Sequence, residues 1–458
     1  MVSKKPNILF FSRTQYSYLY PKLISSLYNS YHVVVNIEEK IIVEKLGGIV
    51  VGCFEEEFKT LRAASIKNFN LNTSFYADRF LGFLSLDERH KILAKEIAFW
   101  ERIFNERKYS LCVHDLISFE LQEVMALTAK EYSCENFTIE SCVMDGFFYQ
   151  TCDPYHSSFA SKKFNNIITE KLRDLVTEYL HQVKEKGHKP GYVFRCLPKN
   201  SYYRILKSLI GYEYRLIRRF GLSFSNETEK QNALFYYQNS RCIFYRNIRE
   251  RIRSVNKKYD NLNLSGKHKI ILYPMHEDPE AKLLYFDPNT PSQHHILQEI
   301  AKNIPLDCLL AVKEHPLQPG HLMRIEYQDL KRRNSNIIFL PAEINTCELY
   351  SRVHSVITVS GSVGWEALIN NIPVIVLSDV FYDTHPSVIN IKLFSDLKKI
   401  YSNTFSLPKN EDTIEFLCNL LSECWFGNPT DPIAYNDLQN IKNLTQAIEL
   451  KILSNDGG

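Results

Sequence analysis

The chain has 458 residues, 45% of them hydrophobic and 23% charged, with a net charge of +3. That length allows roughly two to three domains, and the near-neutral balance gives no global reason to expect a nucleic-acid partner. The eleven cysteines are scattered, with no CxxC pair and no His/Cys cluster at zinc spacing, which reads as reduced cytoplasmic thiols and excludes a disulfide framework.

The start, MVSKKPNILFFSRTQ, lacks the length of a signal peptide, and no apolar run approaches the ~20 residues of a membrane span. The expectation is a soluble, cytoplasmic protein. NILFF (7–11) reads as a first strand, 16–30 has helical spacing, and YHVVVNI (31–37) returns as a strand. A short helical pattern (38–46) and the apolar run GIVVGCF (48–54) complete a βαβαβ beginning, so the N-terminal half reads as a doubly wound sheet. Residues 88–108 look helical. SLCVHD (110–115) is a strand ending in Asp115, a helix follows to about Tyr132, and FTIES (137–141) is a strand with Glu140 near its end.

The next segment, CVMDGFFYQTCDPYHSS, reads as a loop that combines Asp145, Gly146, Asp153, Pro154 and His156 with three consecutive aromatics. Polar loops after a strand's carboxyl end are where acceptor or catalytic groups lie. A surface loop pinned by its aromatics is the alternative.

Residues 166–260 are mostly helical in pattern. Between 181 and 220 there are ten Lys/Arg against two Glu, a local excess of +8, interleaved with Tyr and Phe. Basic-aromatic helices of this kind rest on anionic membrane surfaces, although a solvated helical face is the commoner meaning. Residues 261–269 are polar with a Ser-Gly turn and read as a domain linker.

A second sheet pattern follows. KIILYPM (269–275) is a strand, 292–303 a helix, DCLLAVKEHP (307–316) a strand with a polar end, and NIIFLP (336–341) another strand. A short helix spans about 346–352. VITV (356–359) then runs into Ser360-Gly361-Ser362, a helical run VGWEALIN, and a further strand, VIVLS (374–378). This strand, tight loop, helix, strand unit builds a parallel sheet, and the free N–H groups at such a helix start favour an anion. Ser360, Gly361, Ser362 and Val363 therefore form a candidate phosphate cradle; a well-capped structural helix is the competing reading. Two late helices, about 411–424 and 435–454, close the pattern.

Other groups cluster at the same predicted edge. Proline stops the strand at Lys313-Glu314-His315-Pro316 and fixes the turn, holding Lys313 and His315 where both can donate to a phosphate. His276, Glu277, Asp278 and Glu280 follow the strand at 269–275. Carboxylates there can act as nucleophile, base or electrostatic stabiliser in glycosyl chemistry, or merely cap a helix. Glu366, behind the cradle, can reach ribose hydroxyls. No GxGxxG, GxxxxGK[ST], HExxH, nucleophile-elbow or DxD pattern appears, which argues against a dinucleotide enzyme, a P-loop NTPase, a zincin, an α/β hydrolase and a metal-dependent sugar transferase.

The trio YPMHEDPEA (273–281), KEHP…G (313–320) and SGSVGWEAL…PVIVL (360–377), in that order, resembles the capsule polysaccharide biosynthesis family, closest to the bacterial β-Kdo transferases. The match is confined to about residues 268–380. The resemblance implies an α/β GT-B fold: two Rossmann-like domains facing across a cleft, with C-terminal helices packing back. We expect an acceptor domain over 1–262, with a helical insertion at about 160–260, and a nucleotide-sugar domain over 263–458 whose last helix is a candidate to cross back. It also implies transfer of Kdo or a related acidic sugar from a CMP-sugar donor, with retention, without a metal or other cofactor. The acceptor would be a glycan or lipid-linked oligosaccharide at the inner membrane face, with no nucleic acid involved.

On that basis His315 and Ser360 to Val363 hold the CMP, with Glu366 behind them and Pro316 fixing the turn. Asp278 is the expected nucleophile and Glu277 its alternative. Glu140 is the candidate acid/base, and Asp145 stands second. Lys313, His276 and Arg13 suit the carboxylate of the sugar. Rival readings are a transferase using another CMP or CDP donor, such as a sialic-acid-like sugar or glycerol phosphate, a UDP-GlcNAc 2-epimerase-like isomerase, and a non-catalytic glycan or partner binder.

Overall fold

The computed structural model describes residues 5–66, 81, 84–155, 169–186, 201–220, 241–256, 258–260, 268–279, 282–286, 290–403 and 407–456. Within them the chain builds two sheets. The first contains β1 (Asn7–Phe11), β2 (Asn29–Val34), β3 (Val50–Cys53), β4 (Leu111–His114), β5 (Glu135–Ser141) and β6 (Phe147–Thr151). The second contains β7 (Lys269–Pro274), β8 (Cys308–Lys313), β9 (Ile337–Leu340), β10 (Val353–Thr358), β11 (Val374–Val376) and β12 (Val388–Asn390). A short strand, β13 (Trp425–Phe426), returns to pair with β6.

The strand orders are β13-β6-β5-β4-β1-β2-β3 and β12-β11-β10-β7-β8-β9. Pairing is parallel throughout the second sheet, and in the first everywhere except at β6. The near-continuous apolar runs explain this. Ile8 to Phe11 and Ile271 to Tyr273 have no accessible surface beyond a trace, and strands covered on both faces are what a helix-flanked parallel sheet requires. Together the two sheets form a mixed α/β, Rossmann-like pair.

The flanking helices are α1 (Ile37–Lys45), α2 (Leu86–Glu106), α3 (Glu120–Glu131), α4 (Glu170–Lys186), α5 (Tyr202–Phe220), α6 (Arg241–Asn256), α7 (Gln293–Asn303), α8 (Ile325–Arg333), α9 (Ser362–Ile369), α10 (Asn410–Leu421) and α11 (Leu438–Asp456). Local chemistry sets their starts. Asn36 and Glu39 close a capping box on α1, and Ser85 and Glu88 close one on α2. Phe99, Trp100 and Ile103 of α2 then bury against Leu9 and Phe11 of β1.

Two helices join the halves. Val176, Leu180 and Val183 of α4 pack in one cluster with Phe147 of β6 and with Trp365 and Leu368 of α9. Leu444, Ala447, Ile448 and Ile452 of α11 lie against Ile8, Phe10, Leu111 and Phe137 of the first sheet. Each fully buried aliphatic chain of this kind contributes about 1.5–3 kcal/mol relative to exposure.

Three expectations are corrected. The segment read as a loop after β5 is a hairpin: Phe147–Thr151 is strand β6, with Ser141 opposite Phe148 and Thr138 opposite Thr151. Its consecutive phenylalanines are buried on the two faces of the sheet, Phe147 toward α4 and Phe148 toward α11. His156 falls outside the described residues, as does Glu280. Helical spacing at 16–30 gives only Tyr16–Leu19 and a single turn of 3-10 helix at Tyr20–Lys22, because Pro21 interrupts it. Helix α8 was not foreseen: only Tyr327 and Leu330 of it are buried, too few to make an apolar stripe.

Candidate active site

Strand order brings the sequence motifs together. In the second sheet β10, β7 and β8 are neighbours, so their carboxyl ends deliver Ser360, His276 and Lys313 to adjacent positions. The order reverses between β7 and β10, and open α/β sheets bind ligands at such a switch point. There His276 Nε2 lies 3.5 Å from the backbone nitrogen of Ser360 and 3.4 Å from Thr358 Oγ1. Gln293 clamps the His276 backbone, accepting from its N–H at 2.7 Å and donating to its carbonyl at 3.1 Å. His276 and Ser360 are both buried, so the imidazole sits behind the serine loop and supports it.

Gly361 is the N-cap of α9, and no side chain caps that helix. The loop is held tightly from below. The Tyr382 hydroxyl donates to the Gly361 carbonyl, and a Cβ on Gly364 would lie 2.1 Å from that hydroxyl, so only glycine fits at position 364. Ser362 is exposed and Val363 half-buried. Glu366, one turn into α9, accepts from Tyr350 at 3.1 Å; burial pushes its carboxyl up to about 7 against the pull of Lys313.

The Lys313 ammonium is buried, 3.3 Å from the carbonyls of Glu314 and Ala342, and burial lowers it to about 8. It lies inside the edge, facing Glu366, and not on the rim. Glu314 accepts from Tyr259 at 2.7 Å and from the N–H groups of Gly320 and Leu322 at 2.9 Å each. Burial raises it to about 7. Glu314 thus ties down the turn that presents His315, which is half-buried and accepts from Leu317 N–H at 3.3 Å. Pro316 is exposed.

Asp278 is placed by a second glutamine. Gln318 accepts from its N–H and donates to its carbonyl, both at 2.8 Å. The Asp278 Oδ2 atom is 3.8 Å from His321 Nε2, and His321 Nδ1 is 3.8 Å from Glu250 Oε2. Glu250 is 1% exposed and is bound by Arg324, whose Nε donates at 2.8 Å. A carboxylate–imidazole–carboxylate–guanidinium series therefore backs Asp278, while Asp278 itself stays 43% exposed. Glu277 beside it is half-buried. The motif's glycine has a reason too: Gly320 sits at φ +91, and a Cβ there would lie 1.9 Å from the Glu250 carbonyl.

The first sheet repeats the logic, with β5, β4 and β1 adjacent and a reversal between β1 and β4. Arg13, after β1, forms an ion pair with Asp115, after β4, and donates to Ser118 Oγ at 2.7 Å. Its guanidinium lies 4.9 Å above the Phe119 ring. Glu140 accepts from Leu116 N–H at 2.8 Å. Burial and the Asp115 charge push it up to about 8, against that hydrogen bond and Arg13. Asp145 is exposed on the β5–β6 turn, where its charge acts on Tyr179 of α4. The two edges meet through Tyr285, shortly after Asp278, which buries against Ile117 and Ala126 just beyond Asp115.

Sequence reading missed His321, Glu250 and Arg324. His321 could have been suspected from its place beside the motif glycine. Glu250 lies on a basic helix with no motif around it. Among the described residues no group of three His, Cys, Asp or Glu side chains is arranged for a metal ion, and no helix is long and apolar enough to cross a membrane.

Residues 208–386 match the family described as "Capsule polysaccharide biosynthesis protein". That segment carries all three quoted motifs together with Glu250, His321 and Arg324. The chain is also similar to solved structures of Thermosulfurimonas dismutans KpsC. For its beta Kdo 2,4 transferase the identity is 13% over 74% of this chain and 87% of that one, with a TM-score of 0.38. For its beta Kdo 2,7 transferase the figures are 12%, 91%, 98% and 0.37. A Methanocaldococcus jannaschii UDP-GlcNAc 2-epimerase, solved with UDP-GlcNAc and UDP, gives 13% identity over 91% of this chain and 99% of that one, with a TM-score of 0.29. No curated protein matches the sequence.

Proposed function

We propose that the chain is a glycosyltransferase of capsule-type polysaccharide assembly, moving Kdo or a related acidic sugar from a CMP-linked donor to a glycan or lipid-linked acceptor. The observation that carries this reading is the placement of Asp278 beside the His276–Ser360 switch point, within the matched family segment. The serine loop and the start of α9 would take the donor phosphate, with His276 supporting the loop and His315 at the neighbouring turn. Glu366 and Lys313 would stabilise the floor beneath it.

The chemistry is a double displacement. The Asp278 carboxylate attacks the anomeric carbon; the bond from that carbon to the phosphate oxygen breaks, and CMP leaves with the bonding pair. The acceptor hydroxyl then attacks the face that CMP vacated. Its proton passes to Glu140, and the bond to Asp278 breaks. Two inversions give retention. On this reading the departing phosphate would be met by the backbone N–H groups at the start of α9.

The acceptor would be met at the inner face of a membrane. Helix α5 supports this reading: Tyr203, Leu206, Ile210, Tyr214 and Ile217 form one stripe, each at least 45% exposed, while Ile205, Tyr212 and Leu216 pack inward. Exposed Arg204, Lys207, Arg215 and Arg218 flank the stripe, the pattern of a helix lying in an anionic interface.

Calorimetric titration with CMP and with UDP, in the presence of a chelator, tests the donor. Binding of CMP that His315→Ala abolishes, followed by a Kdo adduct on Asp278 in mass spectrometry after CMP-Kdo, is the expected result. Preference for UDP would replace this reading with a UDP-sugar transferase or an isomerase.

A further inference from the structure

Arg246, Arg249 and Arg253 succeed one another on α6 at spacings of three and four, which places them on one face of the helix. That face borders a groove of ≈ 880 Å³ whose opposite wall, at α8, carries Arg324 and Arg332. The volume lies within the roughly 300–1,000 Å³ usual for small-molecule sites. Two carboxylates line the groove, and both turn to one arginine: Glu250 binds Arg324, and Glu326 lies 3.7 Å from it. Arg332 is paired with Asp329. Among the described residues neither Arg249 nor Arg253 has an ion-pair partner.

Burial lowers the Arg246 guanidinium, while the charges of Glu250, Asp278 and Glu277 draw it back up. Three guanidinium groups spread over about 10 Å of helix rise exceed what one carboxylate can engage. Each offers a planar fork suited to a pair of phosphate oxygens. Met323 and Ile325 on the facing wall supply apolar surface for whatever the phosphates are attached to.

We propose that this groove is a binding site for a diphosphate-bearing ligand, held by Arg246, Arg249 and Arg253. The site rests on the groove and its arginines, and stands whether or not the chain transfers an acidic sugar.

The test is calorimetric titration of the full chain with inorganic pyrophosphate, beside CMP, on wild type and on Arg249→Ala/Arg253→Ala. The expected result is a tenfold or greater weakening of pyrophosphate binding in the double variant, partly restored by Arg249→Lys/Arg253→Lys, with CMP binding and thermal midpoint unchanged. Absence of pyrophosphate binding to the wild type, equal binding by both proteins, or displacement of pyrophosphate by CMP would each overturn the proposal. Flotation with phosphatidylcholine vesicles, with and without a polyprenyl diphosphate, then assigns the source. Retention on the doped vesicles that pyrophosphate reverses makes the ligand a lipid headgroup; binding in solution without such retention makes it a soluble diphosphate.

Discussion

The imidazole Nε2 of His276 lies 3.5 Å from the backbone nitrogen of Ser360, across the point where the second sheet reverses its strand order. The contact joins the first and third sequence motifs, which lie more than eighty residues apart in the chain. It also makes His276 a positioning residue for the loop. His276→Ala should weaken CMP binding by about 2- to 10-fold, the size of one neutral hydrogen bond. His276→Asn, which keeps a polar atom near the loop, should recover part of the loss. Calorimetry on the three proteins decides it; equal affinities would remove the loop from the nucleotide site.

Asp278 and His321 should behave differently on mutation. Asp278→Asn removes the proposed nucleophile and should cut turnover by about 10⁴-fold or more, with CMP binding intact. His321→Ala leaves the nucleophile but deletes its support and should cost less. His321→Gln, able to face both carboxylates, should recover part of the rate. Steady-state turnover and the adduct yield on Asp278 read these effects. An Asp278→Asn enzyme of normal rate would move the nucleophile to Glu277 or abolish the double displacement.

Glu140 supplies a pH signature. As a base toward the acceptor hydroxyl it works only when deprotonated, and its carboxyl is held up at about 8. The rate should therefore rise with pH up to and through about 8, then level off. Glu140→Gln should lower the plateau by about 10²–10⁴-fold and flatten the rise. A rise through the same pH that persists in the variant would assign the titration to another group.

Membrane contact can be separated from chemistry. Arg215→Ala/Arg218→Ala should reduce flotation with anionic vesicles by several-fold at low salt, at about 1 kcal/mol per basic residue near the surface, while leaving CMP binding as it was. Equal flotation of both proteins removes the α5 contact.

Gly320→Ala should destabilise the protein. The added methyl meets the Glu250 carbonyl at 1.9 Å, an overpacking cost of about 1–3 kcal/mol, on top of ~1–2 kcal/mol for the left-handed backbone. Chemical denaturation measures it; an unchanged midpoint would show that α6 yields at that contact.

Much of the second sheet is legible in the sequence because each strand is a continuous apolar run ending in polar residues. KIILYP, CLLAVK and VHSVIT each carry an apolar run up to the sheet's carboxyl edge, where the motif residues follow. The same rule locates Glu140 and Asp115 in the first sheet. What escapes is made by tertiary packing. β6 hides in a segment whose neighbours look like turns, and β13 is only two residues long. Glu250 and His321 meet Asp278 from three separate segments of the chain, and no spacing in the sequence announces that meeting. Lys313 is the reverse case: its place in the KEHP motif is plain, but the fold turns its ammonium inward to backbone carbonyls.

The return of the chain to the first sheet through β13 and α11 gives the molecule a two-stranded spine. The backbone leaves that sheet after Thr151 and rejoins it at Trp425, so the second sheet is an insertion within the first unit and not an appendage to it. A single proteolytic cut between them cannot part the halves. The two halves are therefore tied by two separate passages of the chain, one leaving after Thr151 and one returning at Trp425.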